Sequence, residues 1–172
     1  WAYDIPVCVH TKLSPDLLMR LGRDGIIDGV KDSSGDDVSF RWLCRANEAA
    51  GHPLQLLTGH EVVVDGAYMS GADGSVPGLA NVDPEGYVRQ WQAYERRDWE
   101  AVRTEQDRLA ELMRIVQVKG VQGFGAGVGA FKAALHLLGV FDSPEMPRPV
   151  AAIEGDNMEH VASVLRAVDL LS

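Results

Sequence analysis

The sequence predicts an α/β fold built on a parallel sheet and followed by a helical region. Four short apolar or β-branched stretches each lead into a segment of helical periodicity. After Arg97 such stretches stop, while apolar residues keep recurring at helical spacing for about 70 residues more. Strands alternating with helices, joined by crossovers of this length, give a parallel sheet covered by helices. At this level doubly wound and barrel closures both remain open.

In chain order, strands are expected at Trp1 to Ile5, Ile26 to Val30, Leu54 to Leu57 and Gly74 to Val76, each bounded by Pro, Gly, Asp or Ser. Ser14 followed by Pro15 supplies an N-cap and a first-turn proline. Asp37 leads into Val38 to Ala50, Glu61 opens Val62 to Met69, and Asp83-Pro84-Glu85 caps a helix through Tyr94. Beyond Arg97, the positions Trp99, Val102, Leu109, Leu112, Met113 and Val116 follow helical spacing. Further helices are expected near Ala126 to Leu138 and from Gly155 to Leu171. Gly120 to Gly129 follows a helix instead of a strand, which reads as a flexible connector and not a dinucleotide loop. The run Asp32 to Asp36 lacks the Walker spacing and reads as a β-to-α loop.

With 172 residues, 46% of them hydrophobic, the chain can bury one sizeable core. Sixteen basic against 25 acidic residues give a formal charge of -9, which repels nucleic acid and anionic membranes overall. The two cysteines, Cys8 and Cys44, make no disulfide framework and suit a reducing cytosol. The five histidines show neither HExxH nor tight pairing with cysteine or carboxylate, so no metal site is expected. No run of about 18 apolar residues and no signal peptide is evident, and a cytoplasmic location is expected. The chain opens mid-strand without an initiator Met and reads as part of a longer protein.

Lys31 closes an apolar stretch just before a turn. In parallel α/β folds the C-terminal strand ends form the active site, where a partly desolvated amine can attack a ketone. The resulting iminium is an electron sink for a carbanion on the neighbouring carbon. The bland alternative is a surface lysine paired with Asp32 or Asp36. Tyr3, near the end of the preceding strand, would stand on the same rim, where a phenol can move protons.

Tyr3-x-x-Pro6, the 28-residue step from Tyr3 to Lys31 in Gly29-Val30-Lys31-Asp32-Ser33-Ser34-Gly35-Asp36, Leu57-Thr58-Gly59, Gly74-Ser75-Val76, Ala80-Asn81-Val82 and Phe131 to Gly139 together resemble the dihydrodipicolinate synthase / N-acetylneuraminate lyase family. The resemblance runs over nearly the whole chain. It implies that residues 1–97 are the C-terminal half (strands 5–8) of a (β/α)8 TIM barrel and that residues 98–172 are a C-terminal helical extension. Lys31 would form an imine with pyruvate or a derived 2-keto acid, with no separate cofactor, and Tyr3 would relay protons. The backbone carbonyl of Val76 would face this centre. The synthase branch carries an arginine for the second substrate's carboxylate where this chain has Cys8, which supplies neither charge nor a bidentate fork. That favours a pyruvate-dependent class I lyase or aldolase over dihydrodipicolinate synthase, which stays the alternative, as does a non-catalytic barrel remnant or binding protein. Gly59, His60 and Glu61 stand where sugar-cleaving members read substrate hydroxyls. Equally, Glu61 could be a first-turn helix residue and His60 a solvated loop side chain. The family's carboxylate-binding turn and second tyrosine belong to the first four β-α units, so residues 1–172 alone are expected to be inactive. A homo-oligomer, a tetramer by resemblance, is implied.

Overall fold

The computed structural model describes residues 1–172. Four strands, β1 (Ala2–Asp4), β2 (Gly29–Asp32), β3 (Gln55–Thr58) and β4 (Gly74–Ser75), form one parallel sheet in that order. Eight α-helices accompany them: α1 (Pro6–Val9), α2 (Pro15–Arg23), α3 (Asp37–Ala49), α4 (Val64–Ser70), α5 (Pro84–Glu95), α6 (Trp99–Leu112), α7 (Phe124–Leu137) and α8 (Gly155–Ala167).

The caps act largely as the sequence suggests. Ser14 Oγ accepts from Leu17 N and Asp83 Oδ1 accepts from Gly86 N, each before a proline in the first turn. Helix α3 is capped by Asp36, one residue earlier than expected, through Ser39 N at 2.9 Å.

Several boundaries differ. β2 begins at Gly29 and not at Ile26, because α2 ends in a turn that leaves Ile26 65% exposed. At its other end β2 runs on to Asp32, so Lys31 lies within the strand instead of just after it. α1 was not legible: it is one turn started by Pro6 and carries no buried residue. Ala80 and Asn81 belong to a 3-10 turn, Gly78–Asn81, that follows β4. Gly120 to Gly129 is no connector throughout, since α7 begins at Phe124 and takes Gly125, Gly127 and Gly129 into its body. α8 ends at Ala167, short of Leu171.

One cluster of 27 buried residues runs from Leu18 through Val30, Leu56 and Leu79 to Leu109, Ala133 and Leu165, so sheet and C-terminal helices share a core. An aromatic group fastens the seam. Tyr68 of α4 packs at 5.0 Å against both Trp91 and Tyr94 of α5, and Tyr94 meets Trp99 of α6 at 5.9 Å. Asn47 of α3, fully buried, donates to Leu54 O and accepts from Leu54 N, which locks the entry to β3.

Strand alternation then sorts the side chains. Asp4, Asp32, Thr58 and Ser75 share one row of the register, and Tyr3, Lys31, Leu57 and Gly74 share the next. The first row finds its partners in the loops and helices beyond the sheet. Ser75 Oγ, for example, lies 2.9 Å from the hydroxyl of buried Tyr68.

Candidate active site

In the second row, Tyr3 and Lys31 are register partners on adjacent strands, and Lys31 Nζ lies 4.5 Å from the centroid of the Tyr3 ring. That is a cation–π distance, and it holds the amine over the phenol. Lys31 enters none of the chain's ion pairs. Its expected carboxylate partners are occupied elsewhere. Asp32 accepts from both Ser34 N and Ser34 Oγ at 2.8 Å, and Asp36 accepts from Ser39 N and Oγ at the start of α3, which holds its carboxyl below the usual value. The bland pairing fails because alternation points Asp32 to the opposite side of the sheet.

The strand ends bearing Tyr3 and Lys31 are fixed from behind. Asp4 is fully buried and pairs with Lys12, while its other oxygen accepts from Leu13 N at 3.2 Å. Lys12 Nζ is also 3.6 Å from nearly buried Asp32. One ammonium thus serves two carboxylates on neighbouring strands.

Gly59 closes against the lysine. A Cβ there would fall 1.9 Å from Ser33 Oγ and 2.9 Å from Lys31 Cε, so only glycine fits this turn without displacing one of them. His60 N donates to Thr58 Oγ1, and the ring Nε2 is 3.6 Å from Asp37 Oδ1. Glu61 is not a first-turn helix residue: α4 starts at Val64, and Glu61 Oε1 accepts from Gly78 N at 3.2 Å. Burial pushes the Glu61 carboxyl above its ordinary value, against the opposing pull of the Gly78 amide, His60 and Lys31.

The loop carrying Glu61 is held by the C-terminal helices. Val63 offers no side-chain cap, so Gln106 of α6 supplies one: its Oε1 accepts from Val64 N at 2.8 Å and Asp65 N at 3.2 Å, and its Nε2 donates to Glu61 O at 3.1 Å. Tyr87 OH donates to the same carbonyl.

Tyr3, Lys31, Gly59, His60 and Glu61 all line one cavity of about 510 Å³. Cys8 does not, being exposed on α1 while its neighbour Val7 reaches the rim. Val76 does not either. It follows β4 and lines a separate cleft of about 610 Å³ with Tyr87 and Trp91. The remaining wall comes from Met113 and from Gly123, Phe124, Gly127, Val128 and Phe131 of the α7 region. Sequence reasoning missed these because the glycines suggested a connector. The spacing of Phe124, Val128 and Phe131 at i, i+4 and i+7 was the available signal. Nowhere does the fold gather three or more metal-ligating side chains, and no helix is long and apolar enough to cross a membrane.

Comparison with known proteins agrees with this architecture. A model of the dihydrodipicolinate synthetase family matches residues 2–168. An uncharacterized DapA-like lyase of Halobacterium salinarum is 31% identical over 172 residues, covering 99% of this chain and 53% of the relative. A 4-hydroxy-tetrahydrodipicolinate synthase of Methanosphaerula palustris is 25% identical over 97% of this chain and 54% of its own length. Among solved structures, dihydrodipicolinate synthase from Bacteroides thetaiotaomicron superposes with a TM-score of 0.86 at 27% identity, over 96% of this chain and 54% of that one. A prophage protein of E. coli K12 from the dihydrodipicolinic acid synthase family, solved in complex with pyruvate, gives 0.87 at 20% identity, over 98% and 55%. The chain spans about half the length of the curated relatives it matches. With a parallel sheet, a lysine over a tyrosine at its open face and a family match over residues 2–168, this chain belongs to the dihydrodipicolinate synthetase family.

Proposed function

We propose that the intact protein is a class I lyase or aldolase that makes or breaks a carbon–carbon bond between pyruvate and an aldehyde through an imine at Lys31. The observation that carries this reading is the Lys31 amine, free of any ion pair, held 4.5 Å over Tyr3 in the cavity. Lys31 Nζ attacks the ketone of the 2-keto acid, and the carbinolamine loses water to give an iminium. The iminium accepts the electron pair released when the carbon–carbon bond breaks, and Tyr3 moves the protons that this requires. The covalent imine is the only prosthetic chemistry the reading uses. Borohydride added with pyruvate to the intact protein should inactivate it irreversibly. Full activity after that treatment would refute the reading.

Residues 1–97 are read as strands 5–8 of a (β/α)8 barrel and residues 98–172 as its helical extension, in a cytoplasmic homotetramer. Support comes from the parallel order β1 to β4 and from solved family members that extend to nearly twice the matched length.

A second reading, 4-hydroxy-tetrahydrodipicolinate synthase proper, is favoured by the names of several relatives. Against it, Cys8 is exposed on α1, and Lys31 is the only lysine or arginine lining the cavity. Turnover of aspartate semialdehyde with pyruvate, set against pyruvate release from 4-hydroxy-2-oxo acids, separates the two.

A further inference from the structure

The part of the cavity lining contributed by α7 has a chemistry of its own. Polar lining groups come from the segments after β2 and β3, namely Ser33, Ser34, His60 and Glu61. The rest of the lining is mainly apolar, with Met113 and the α7 stripe of Phe124, Val128 and Phe131, and Phe131 adjoins Glu61 at Gly78. Phe131 reaches inward because Gly78 makes room: a Cβ at Gly78 would lie 2.8 Å from Phe131 Cε2.

The glycines of α7 divide by what they touch. A Cβ at Gly125 would meet Val121 Cγ1 at 2.8 Å, and one at Gly129 would meet Ile153 Cγ1 at 3.5 Å, so packing accounts for the first and limits the second. At Gly127 nothing lies within 4 Å, and its φ is not in the left-handed region. A glycine inside a helix is less favourable than an alanine. Neither packing nor backbone conformation offsets that cost at Gly127, and its open side faces the cavity.

Resting on the Schiff-base reading above, we infer that the aldehyde partner carries an uncharged, aryl-sized apolar substituent seated over Gly127 against Phe124 and Phe131. An anionic substituent would meet the Glu61 carboxyl, and among the cavity residues of this chain Lys31 is the one lysine or arginine. A polyhydroxylated one would place its hydroxyls on the apolar stripe, where they lose water without gaining partners. The cavity, about 510 Å³, lies within the range of pockets that hold such ligands.

The reaction balances without an oxidant or reductant. The iminium of a 4-aryl-4-hydroxy-2-oxobutanoate loses its C4 hydroxyl proton, the C3–C4 bond breaks with its electron pair passing to the iminium nitrogen, and the aryl aldehyde leaves. The enamine takes a proton at C3, and one water hydrolyses the imine to pyruvate and the free lysine, replacing the water lost when the imine formed.

The test uses the intact protein with pyruvate and benzaldehyde, acetaldehyde, glyceraldehyde or aspartate semialdehyde. Benzaldehyde should give a kcat/KM at least about tenfold above the hydroxylated and anionic aldehydes. In Gly127→Leu the ratio of kcat/KM for benzaldehyde over acetaldehyde should fall about tenfold or more. Gly127→Ala, which favours the helix and meets no clash, should move the ratio the same way by less, keeping the test valid if the leucine variant folds poorly. A preference for glyceraldehyde or aspartate semialdehyde, or an unchanged ratio in both variants, overturns the inference while a borohydride adduct with pyruvate leaves the Schiff-base reading standing. Absence of that adduct overturns both.

Discussion

Two adjacent rows of residues on the same short strands behave in opposite ways. Asp4 and Asp32 are buried and satisfied, through Lys12, Leu13 N and Ser34, and nothing about them is free to react. Tyr3 and Lys31, each one residue earlier, stand on the open side, where Tyr3 is 48% exposed and Lys31 touches an aromatic face in place of a carboxylate. The same sheet thus carries a row that fixes geometry and a row left under-partnered. The second row can stay under-partnered because the first satisfies the folding requirements of both strand ends.

Substitutions in the supporting row and its neighbours should cost stability, and those in the open row should cost activity. Lys12→Met leaves Asp4 buried beside Asp32 without a cation. It should destabilise the intact protein by about 3 kcal/mol, the low end for a broken buried pair because Lys12 is partly solvated. Urea unfolding measures this, and a change under half that size would mean that the aspartates do not depend on Lys12. Gly59→Ala drives a methyl into Ser33 Oγ and Lys31 Cε. Displacing the amine by an ångström should lower kcat/KM about 100-fold, and steady-state kinetics that match the wild type would show that the turn yields freely.

Gln106→Leu strips the acceptor from Val64 N and the donor from Glu61 O, both in a buried network. A loss of about 2 kcal/mol is expected, seen as faster amide hydrogen exchange at Val64 and Asp65 ahead of the rest of the chain. The smallest effect belongs to Glu61→Gln. Burial raises the folded carboxyl above the ordinary 4.5, so the folded state binds the proton more tightly. The ionised carboxylate therefore costs stability, a cost absent below the unfolded value and complete once pH rises past the folded one. Gln keeps an acceptor for Gly78 N and removes that cost. Melting curves should show a small gain in Tm for the variant at pH 7 and none near pH 4, and a loss at pH 7 would contradict the sign.

Much of this was legible in the sequence. Strand and helix order followed from periodicity and from the caps at Ser14 and Asp83, since both are local signals. Lys31 and Tyr3 were singled out through their spacing and the surrounding loop residues, and the structure sets them side by side in one cavity. The limits were physical too. β2 starts three residues late because Ile26 is apolar yet exposed, a distinction that composition does not carry. Gln106 could not be foreseen as the cap of α4, because it lies 42 residues away from Val64 and acts only through tertiary packing. The α7 wall was hidden because its glycines, Gly125, Gly127 and Gly129, lie inside a helix, where composition suggests a connector.

The most direct test of the division between the two rows is peptide mapping of the intact protein after borohydride reduction with pyruvate. This chain has four lysines, Lys12, Lys31, Lys119 and Lys132, which tryptic peptides distinguish. The reduced pyruvate adduct should appear on Lys31 alone and vanish in Lys31→Arg. An adduct on Lys12, or turnover retained by Lys31→Arg, would contradict the assignment of chemistry to the open row.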